Sequence, residues 1–450
     1  MKNDRIRYPG PLYFGDDGVL VKYVQLALHR AGYDVKIDGR LGKSTQAAVE
    51  HFLKEDTNER DWQQPVVDRD VWQRLLPYLK GYVWHRVEEG EALWQIAGKY
   101  QTPLPKVMIA NPGLDPDRIQ IGTMLVIPLP FPLVSEEVEY TSFLTACIVE
   151  GLEKRYPYLE AGNIGSSVMG KPIYYMRIGK GETEVFYNAS FHANEWITTP
   201  VLLKFAESFA KAYGGCNELF TVPAAKLFWS YSLYLAPMVN PDGVDLVNGV
   251  LEQVSGLSDE ENETYLGRTM QIAAGYPQIP YPSGWKANIA GTDLNLQFPA
   301  GWEIARGIKF EQGYTTPAPR DYVGEAPLTA PESKAVYDFT REHDFQLILA
   351  YHTQGEVIYW KYLDYEPEHA EEIVRYFEEV SGYVAEKTPY ASAYAGYKDW
   401  FIMEYVRPGY TIEVGTGINP LQMEQFQDIY EKNRLILEGG MSQLEQAGQE

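Results

Sequence analysis

Two cysteines in 450 residues, Cys147 and Cys216, are too few for a disulfide framework, and both are expected as free thiols of a reducing compartment. No run of 18 apolar residues occurs, so no membrane-spanning helix is expected. Positive charge is scarce. The chain has 39 Lys and Arg against 62 Asp and Glu, a formal net charge of -23. Sequence-independent binding of nucleic acid needs basic surface to displace counterions, so that class is excluded. Loose electrostatic adhesion to an anionic polymer is disfavoured too, and attachment to one has to use specific contacts. Residues 1–8 carry charge but no apolar core segment; no secretory signal is expected there, and a cytoplasmic location is. What the chain does have is apolar and aromatic surface. Hydrophobic residues make up 45 %, with 34 Tyr and 10 Trp, enough for cores in about two to four domains.

The pattern changes along the chain. Leu20, Val24, Leu28 and Ala31 fall at helical spacing. A tight turn over Asp38–Gly42, a helical run over Thr45–Phe52 and another over Asp70–Leu76 complete a small three-helix bundle, assigned to 1–80. Tyr82–Val87 then alternates as a strand, Ala92–Ala97 and Leu104–Asn111 read as helices, and Ile119–Pro128 reads as a returning strand. That is a small α+β unit of βααβ order, over 81–129. Pro128, Pro130 and Pro132 predict a stiff, extended linker at 130–136. From there strands are expected over Tyr174–Ile178, Glu184–Ala189, Leu227–Val239, Gln346–His352 and Tyr410–Val414. Helices are expected over Trp196–Tyr213, Pro331–His343, Glu366–Lys387 and Leu421–Gln446. Such alternation predicts a large α/β domain over 137–450, with a mixed, mostly parallel sheet flanked by helices. Residues 250–330, rich in Gly, Pro and Tyr, predict a long irregular insertion of the kind that lines a site.

His192 and Glu195 follow the strand Glu184–Ala189, at the end where open α/β sheets place their sites. A His and a Glu three residues apart can share one zinc ion if the backbone curls, but this spacing alone is a weak signal. His352 ends an apolar strand. Glu413 lies inside another, where a carboxylate is costly unless paired, hydrogen-bonded or protonated. Two imidazoles and one carboxylate leave a coordination position for water, the usual arrangement of a catalytic zinc. Glu413 then reads as the base that takes a proton from that water.

Six motifs in order carry a resemblance: Phe191–Glu195, Pro237–Gly243, Gly291–Asn295, Ala350–Gln354, Gly396–Trp400 and Thr411–Val414. Over about 137–445 the chain resembles the zinc metallocarboxypeptidase family. The resemblance implies one zinc ion held by His192, Glu195 and His352, with Glu413 as general base. It implies that Asp293 orients a ligand histidine. It places Lys286 where the family keeps an arginine that polarises the scissile carbonyl. The family's capping tyrosine falls on Ala391, leaving Tyr390 or Tyr394 for that role, with Tyr390 preferred. Asn295 and Leu296 occupy the substrate-binding pair, and Leu296 stands where the family has an arginine that grips a C-terminal carboxylate. Cleavage at a free protein C-terminus is therefore in doubt, and Lys398, Arg320 and Arg268 are the other cations considered for that task.

Residues 295–303 resemble the branch that cuts the γ-D-glutamyl–diaminopimelate bond of peptidoglycan stem peptides. Residues 18–79 resemble peptidoglycan-binding helical domains, and residues 82–128 resemble LysM modules, which bind N-acetylglucosamine-containing glycan. Together these imply a zinc peptidase anchored to wall glycan and acting on stem peptides, with no nucleic acid or membrane partner. They also imply expression in sporulating cells and action on the spore wall. Two other readings stay open: a zinc carboxypeptidase or amidase of ordinary peptides, and a wall-binding protein with an inactive peptidase domain.

Overall fold

The computed structural model describes residues 8–54 and 66–447. Residues 1–7, which hold most of the stretch read for a secretory signal, lie outside the described part. By packing, the chain forms two compact units: residues 1–138 with 143–160, and residues 139–142 with 161–450.

The first unit begins with helices Val19–Arg30, Lys43–Lys54 and Arg69–Lys80. Val21, Val24, Leu28, Leu75 and Leu79 are buried at their shared centre. The buried Gln25 ties the intervening turn to the first helix. Its amide nitrogen donates to Asp38 Oδ1 at 2.9 Å and to Thr45 Oγ1 at 3.0 Å, and its oxygen accepts from the Gly39 amide at 2.8 Å. Gly39 has φ +76°, a conformation that costs glycine nothing. Asp68 caps the third helix by accepting from the Val71 amide, and Gly81 ends it in the left-handed region.

Strand β1 (Tyr82–Arg86) pairs antiparallel with β2 (Met124–Pro128), Tyr82 opposite Pro128. Helices Leu93–Lys99 and Leu104–Ala110 pack Ile96, Ala97 and Val107 against Leu125 and Ile127. The expected βααβ order is present, with a returning strand shorter than Ile119–Pro128.

The proline-rich stretch is not a free spacer. Leu133 is fully buried, and the carbonyls of Phe131 and Leu133 accept from Arg155 and Arg30. Residues 143–160, assigned by sequence to the third domain, pack in this first unit. Phe143 meets the rings of Tyr23 and Trp72, and Glu150 ion-pairs Lys80 at 2.8 Å. Gly151 admits the Lys80 carbonyl so closely that a Cβ would stand 2.1 Å from it.

The second unit is built on eight strands: β3 (Leu159–Ser166), β4 (Pro172–Ile178), β5 (Thr183–Ala189), β6 (Tyr231–Ala236), β7 (Phe345–His352), β8 (Val357–Lys361), β9 (Val384–Lys387) and β10 (Gly409–Glu413). Their order is β3-β4-β6-β5-β7-β10-β8-β9. The central run β6, β5, β7, β10 is parallel throughout, whereas β4 and β8 run against their neighbours β6 and β10. Helices such as Thr198–Gly214, Pro331–Glu342 and Phe426–Ala447 flank the sheet. The central strands are apolar on both faces, as a covered parallel sheet requires.

Three expectations change. Leu227–Val239 is not one strand. Its first residues belong to helix Ala224–Ser230, and β6 starts at Tyr231. Glu366–Lys387 is not one helix. The helix Ala370–Ser381 stops at Gly382, φ +76°, and the chain continues into β9. Residues 250–330 are more regular than expected. They hold helices Asp259–Ala274 and Trp302–Glu311, the first opened by a Ser258–Glu261 capping box that is visible in the sequence. Among the described residues, no helix is long and apolar enough to cross a membrane.

Candidate metal centre

Three adjacent parallel strands bring the chemistry together. In β5, β7 and β10 the register sets Ala189 opposite Tyr351, and His352 opposite Glu413. His352 and Glu413 are the last residues of β7 and β10, and His192 follows β5 by three residues. All three therefore lie at one edge of the sheet.

His192 keeps an extended backbone, and the next residues, Ala193–Glu195, form one turn of 3-10 helix. That turn is the curl the spacing needed. It folds Glu195 back so that Oε1 lies 2.9 Å from His192 Nδ1. Glu195 Oε2 lies 3.0 Å from His352 Nδ1 and accepts from the Thr353 amide at 3.2 Å. The two Nδ1 atoms stand 3.2 Å apart. One ligand atom from each of His192, Glu195 and His352 fits within 4.8 Å of the others, and all three residues are buried.

The donor set fits a zinc ion. His192 Nε2 is 3.1 Å from Asp293 Oδ1; donation there leaves the Nδ1 lone pair facing Glu195 and His352. The two Nδ1 atoms and the Glu195 carboxylate converge on one point, where a single cation satisfies all three ligands. Tetrahedral zinc ligands at 2.0–2.2 Å stand about 3.3–3.6 Å apart, slightly wider than the spacings seen. Buried His352 Nε2 has no hydrogen-bond partner, so that ring is held by packing on Phe191, 6.0 Å between centroids at 16°.

The electrostatics follow from burial and near charges. Burial acts to lower His192, but Glu195 and Asp293 outweigh it and raise it to about 9. Burial lowers His352. Burial acts to raise Glu195, yet His192 and Lys286 hold it well below the ordinary carboxylate range. Lys286 Nζ is 3.0 Å from Glu195 Oε1. Glu413 is pushed up, first by burial and then by the charge of Glu195. A bound cation would pull it back down.

Several residues passed over in the sequence hold this arrangement. Asn240, in the Pro237–Gly243 motif, donates to the carbonyls of Phe191 (3.2 Å) and Ala287 (3.0 Å), and so ties the exit of β5 to the Lys286 segment. The Ala193 amide donates to the Lys286 carbonyl at 3.0 Å. Gly243 is needed because a Cβ there would stand 2.7 Å from Ala193 Cβ. Asp293 Oδ2 accepts from the Asp321 amide at 3.0 Å, while the Asp321 carboxylate binds Lys309 and Arg320, each at 2.6 Å. A short motif offers no signal for such long-range partners, although the Asn and Gly of Pro237–Gly243 stand in plain view.

A cavity of about 210 Å³ opens beside the cluster, and His192, Lys286, Asp293, His352 and Glu413 all line it. Asn295 and Leu296 line it as well. Asn295 Oδ1 accepts from the Tyr397 amide at 3.0 Å, and Leu296 packs with Trp302, Val323 and Ala395. Of the cations considered for the substrate carboxylate, Arg320 and Lys398 line the cavity and Arg268 does not. Tyr390 is 68 % exposed beside Tyr394 and is not part of the lining, though Pro389 and Ser392 of the same loop are.

Comparison with known proteins agrees with this geometry. The zinc carboxypeptidase family model matches residues 147–435, and the LysM domain model matches residues 85–128. Gamma-D-glutamyl-L-diamino acid endopeptidase 1 of Lysinibacillus sphaericus is 40 % identical over 407 residues, 79 % of this chain and 98 % of that protein. The uncharacterized protein YqgT of Bacillus subtilis is 43 % identical over 349 residues, 76 % of this chain and 89 % of that one. Among solved structures, thrombin activatable fibrinolysis inhibitor superposes with a TM-score of 0.53 at 16 % identity, covering 82 % of this chain and 99 % of that one, a likeness of fold. The chain carries a LysM module and belongs to the zinc carboxypeptidase family, as a hydrolase of the metallopeptidase class.

Proposed function

We propose that the protein hydrolyses the γ-D-glutamyl–diaminopimelate bond of peptidoglycan stem peptides, while its N-terminal modules hold N-acetylglucosamine-containing glycan. The observation that carries the reaction type is the meeting of two imidazole Nδ1 atoms and the Glu195 carboxylate beside Glu413 and Lys286 in one cavity. The bond is supported by the named relative, which is matched over 98 % of its length, and by the LysM module.

His192, Glu195 and His352 would hold the zinc, which supplies a Lewis acid and makes water acidic enough to deprotonate near neutral pH. Glu413 takes the proton of the attacking water and returns it to the leaving amine. Its place opposite His352 in the sheet fixes its carboxylate at the metal edge. Lys286 sets positive charge where the carbonyl oxygen becomes an oxyanion. Lysine gives charge without the planar fork of an arginine, so it stabilises without fixing orientation. Asp293 holds the His192 ring by its far nitrogen. Leu296 places apolar surface on the cavity wall.

Zinc-loaded protein incubated with L-Ala-γ-D-Glu-meso-diaminopimelate is expected to release L-Ala-D-Glu, read by mass spectrometry. A peptide with an ordinary free C-terminus should be left intact. Stoichiometric zinc with no cleavage of this or longer stem peptides would overturn the reading. Asp293→Asn is expected to weaken zinc binding about 10–100-fold, measured against a competing chelator, because the His192 ring loses its charged acceptor.

A further inference from the structure

Lys286 and Asp293 ride on one loop. Its two ends are tied to the segment that follows the helix Trp302–Glu311. The Lys286 and Ala287 amides donate to the Pro319 carbonyl at 2.8 and 2.9 Å, and the Asp293 amide donates to the Tyr322 carbonyl at 2.9 Å. The middle of the loop folds around Asn288, which is buried. Asn288 Oδ1 accepts from the amides of Ala290 (3.1 Å) and Thr292 (3.0 Å), and its carbonyl accepts from Trp285 Nε1 (3.1 Å) and the Gly291 amide (3.0 Å). With Oδ1 engaged by two donors, the side-chain amide can point only one way. Nδ2 leaves the loop and donates to Glu332 Oε2 at 3.0 Å.

Glu332 lies in the first turn of the helix Pro331–Glu342 and is fully buried. Its Oε1 accepts from the Val168 amide, in the turn between β3 and β4, at 3.1 Å. Neither Glu332 nor Asn288 lines the cavity. A buried carboxylate whose two oxygens meet only uncharged N–H groups is costly. Burial and the charge of Asp242 push it up to about 7. What such a group does, and apolar packing does not, is fix direction: one oxygen holds the turn and the other holds the loop. We propose that Glu332, acting through Asn288, is the positioning residue for the loop that carries Lys286 and Asp293. This clamp sets the oxyanion charge and the orientation of the His192 ring together. It rests on the roles given above to Lys286 and Asp293, and it places their common support outside the cavity.

The test reverses the hydrogen bond. Glu332→Gln alone sets an amide N–H against either the Asn288 or the Val168 donor. Asn288→Asp alone sets a second carboxylate against Glu332. Together the two substitutions restore every contact with donor and acceptor exchanged, and the net charge is unchanged. On the full-length zinc-loaded chain, each single variant is expected to lower kcat on the diaminopimelate stem peptide about 10–100-fold with KM little changed, as a misplacement of about 1 Å does. Zinc affinity, measured against a competing chelator, should fall about 10-fold, because Asp293 no longer holds the His192 ring in place. The double variant should recover both, a coupling that general loss of packing does not produce. Zinc-free melting shows which variants fold. If a single variant does not, the double variant decides by itself. Single variants that match wild type in both readouts would overturn the clamp, as would a double variant that recovers neither or does not fold. Zinc affinity is read without substrate, so a wild-type chain that cleaves no stem peptide overturns the endopeptidase reading while the metal measurement still decides the clamp.

Discussion

Glu413→Gln is expected to lower kcat by about 10²–10⁴-fold while zinc content stays stoichiometric, as loss of a positioned general base does. The amide has the shape of the carboxylate but cannot accept the proton of water. The change is also gentle on the fold. Burial and the nearby Glu195 charge already favour a neutral group at this position, so a neutral isostere carries less desolvation cost than the carboxylate. Metal analysis, a thermal melt and single-turnover hydrolysis on the same preparation separate the two effects. A variant that keeps more than a tenth of wild-type kcat would assign the proton transfer to another group.

His352→Ala is expected to remove zinc altogether under dialysis. Structural zinc sites gain roughly 10–16 kcal/mol from four ligands, so one ligand is worth about 3 kcal/mol, or about 10²–10³-fold in affinity. The loss has a second readout. A ligand that binds only the folded state raises its stability with concentration. Added zinc should therefore raise the melting temperature of the wild-type protein and leave that of His352→Ala where it was. The variant also removes a ring packed on Phe191, so its zinc-free melting temperature should fall below that of zinc-free wild type. An unchanged zinc response would mean that the metal sits elsewhere.

Much of this site was legible in short stretches. Imidazole and carboxylate at the ends of apolar strands stand out because burial penalises them without a partner. His352 and Glu413 stand out that way, His192 and Glu195 by their spacing after a strand, and the structure brings all four to one sheet edge. Cap signals were legible too, though not all were used. The Ser258–Glu261 box announces a helix in a segment read as irregular. Gly382 announces a stop in a segment read as one long helix. Other features had no local signal. Lys398 and Asp399 stand in a motif, but nothing local says that each is only 3 % exposed. Asn240 and Asp321 matter through partners far away in sequence.

The division follows from the range of the forces. Backbone preference, hydrophobic period and capping act over a few residues, so the sequence by itself determined the order of modules, the parallel α/β character and the residue types offered to the metal. Which of them meet is a matter of strand order. His192 and His352 are 160 residues apart in the chain and become neighbours only because β7 lies beside β5. The same holds for the helix over Ser142–Arg155. Its own pattern does not say what it packs on, and Phe143, Glu150 and Gly151 find their partners in Trp72 and Lys80. Tertiary structure alone decided the polar wall of the cavity, because Lys398 and Asp399 are withdrawn from water only by the fold that sets the helix Tyr397–Tyr405 against it.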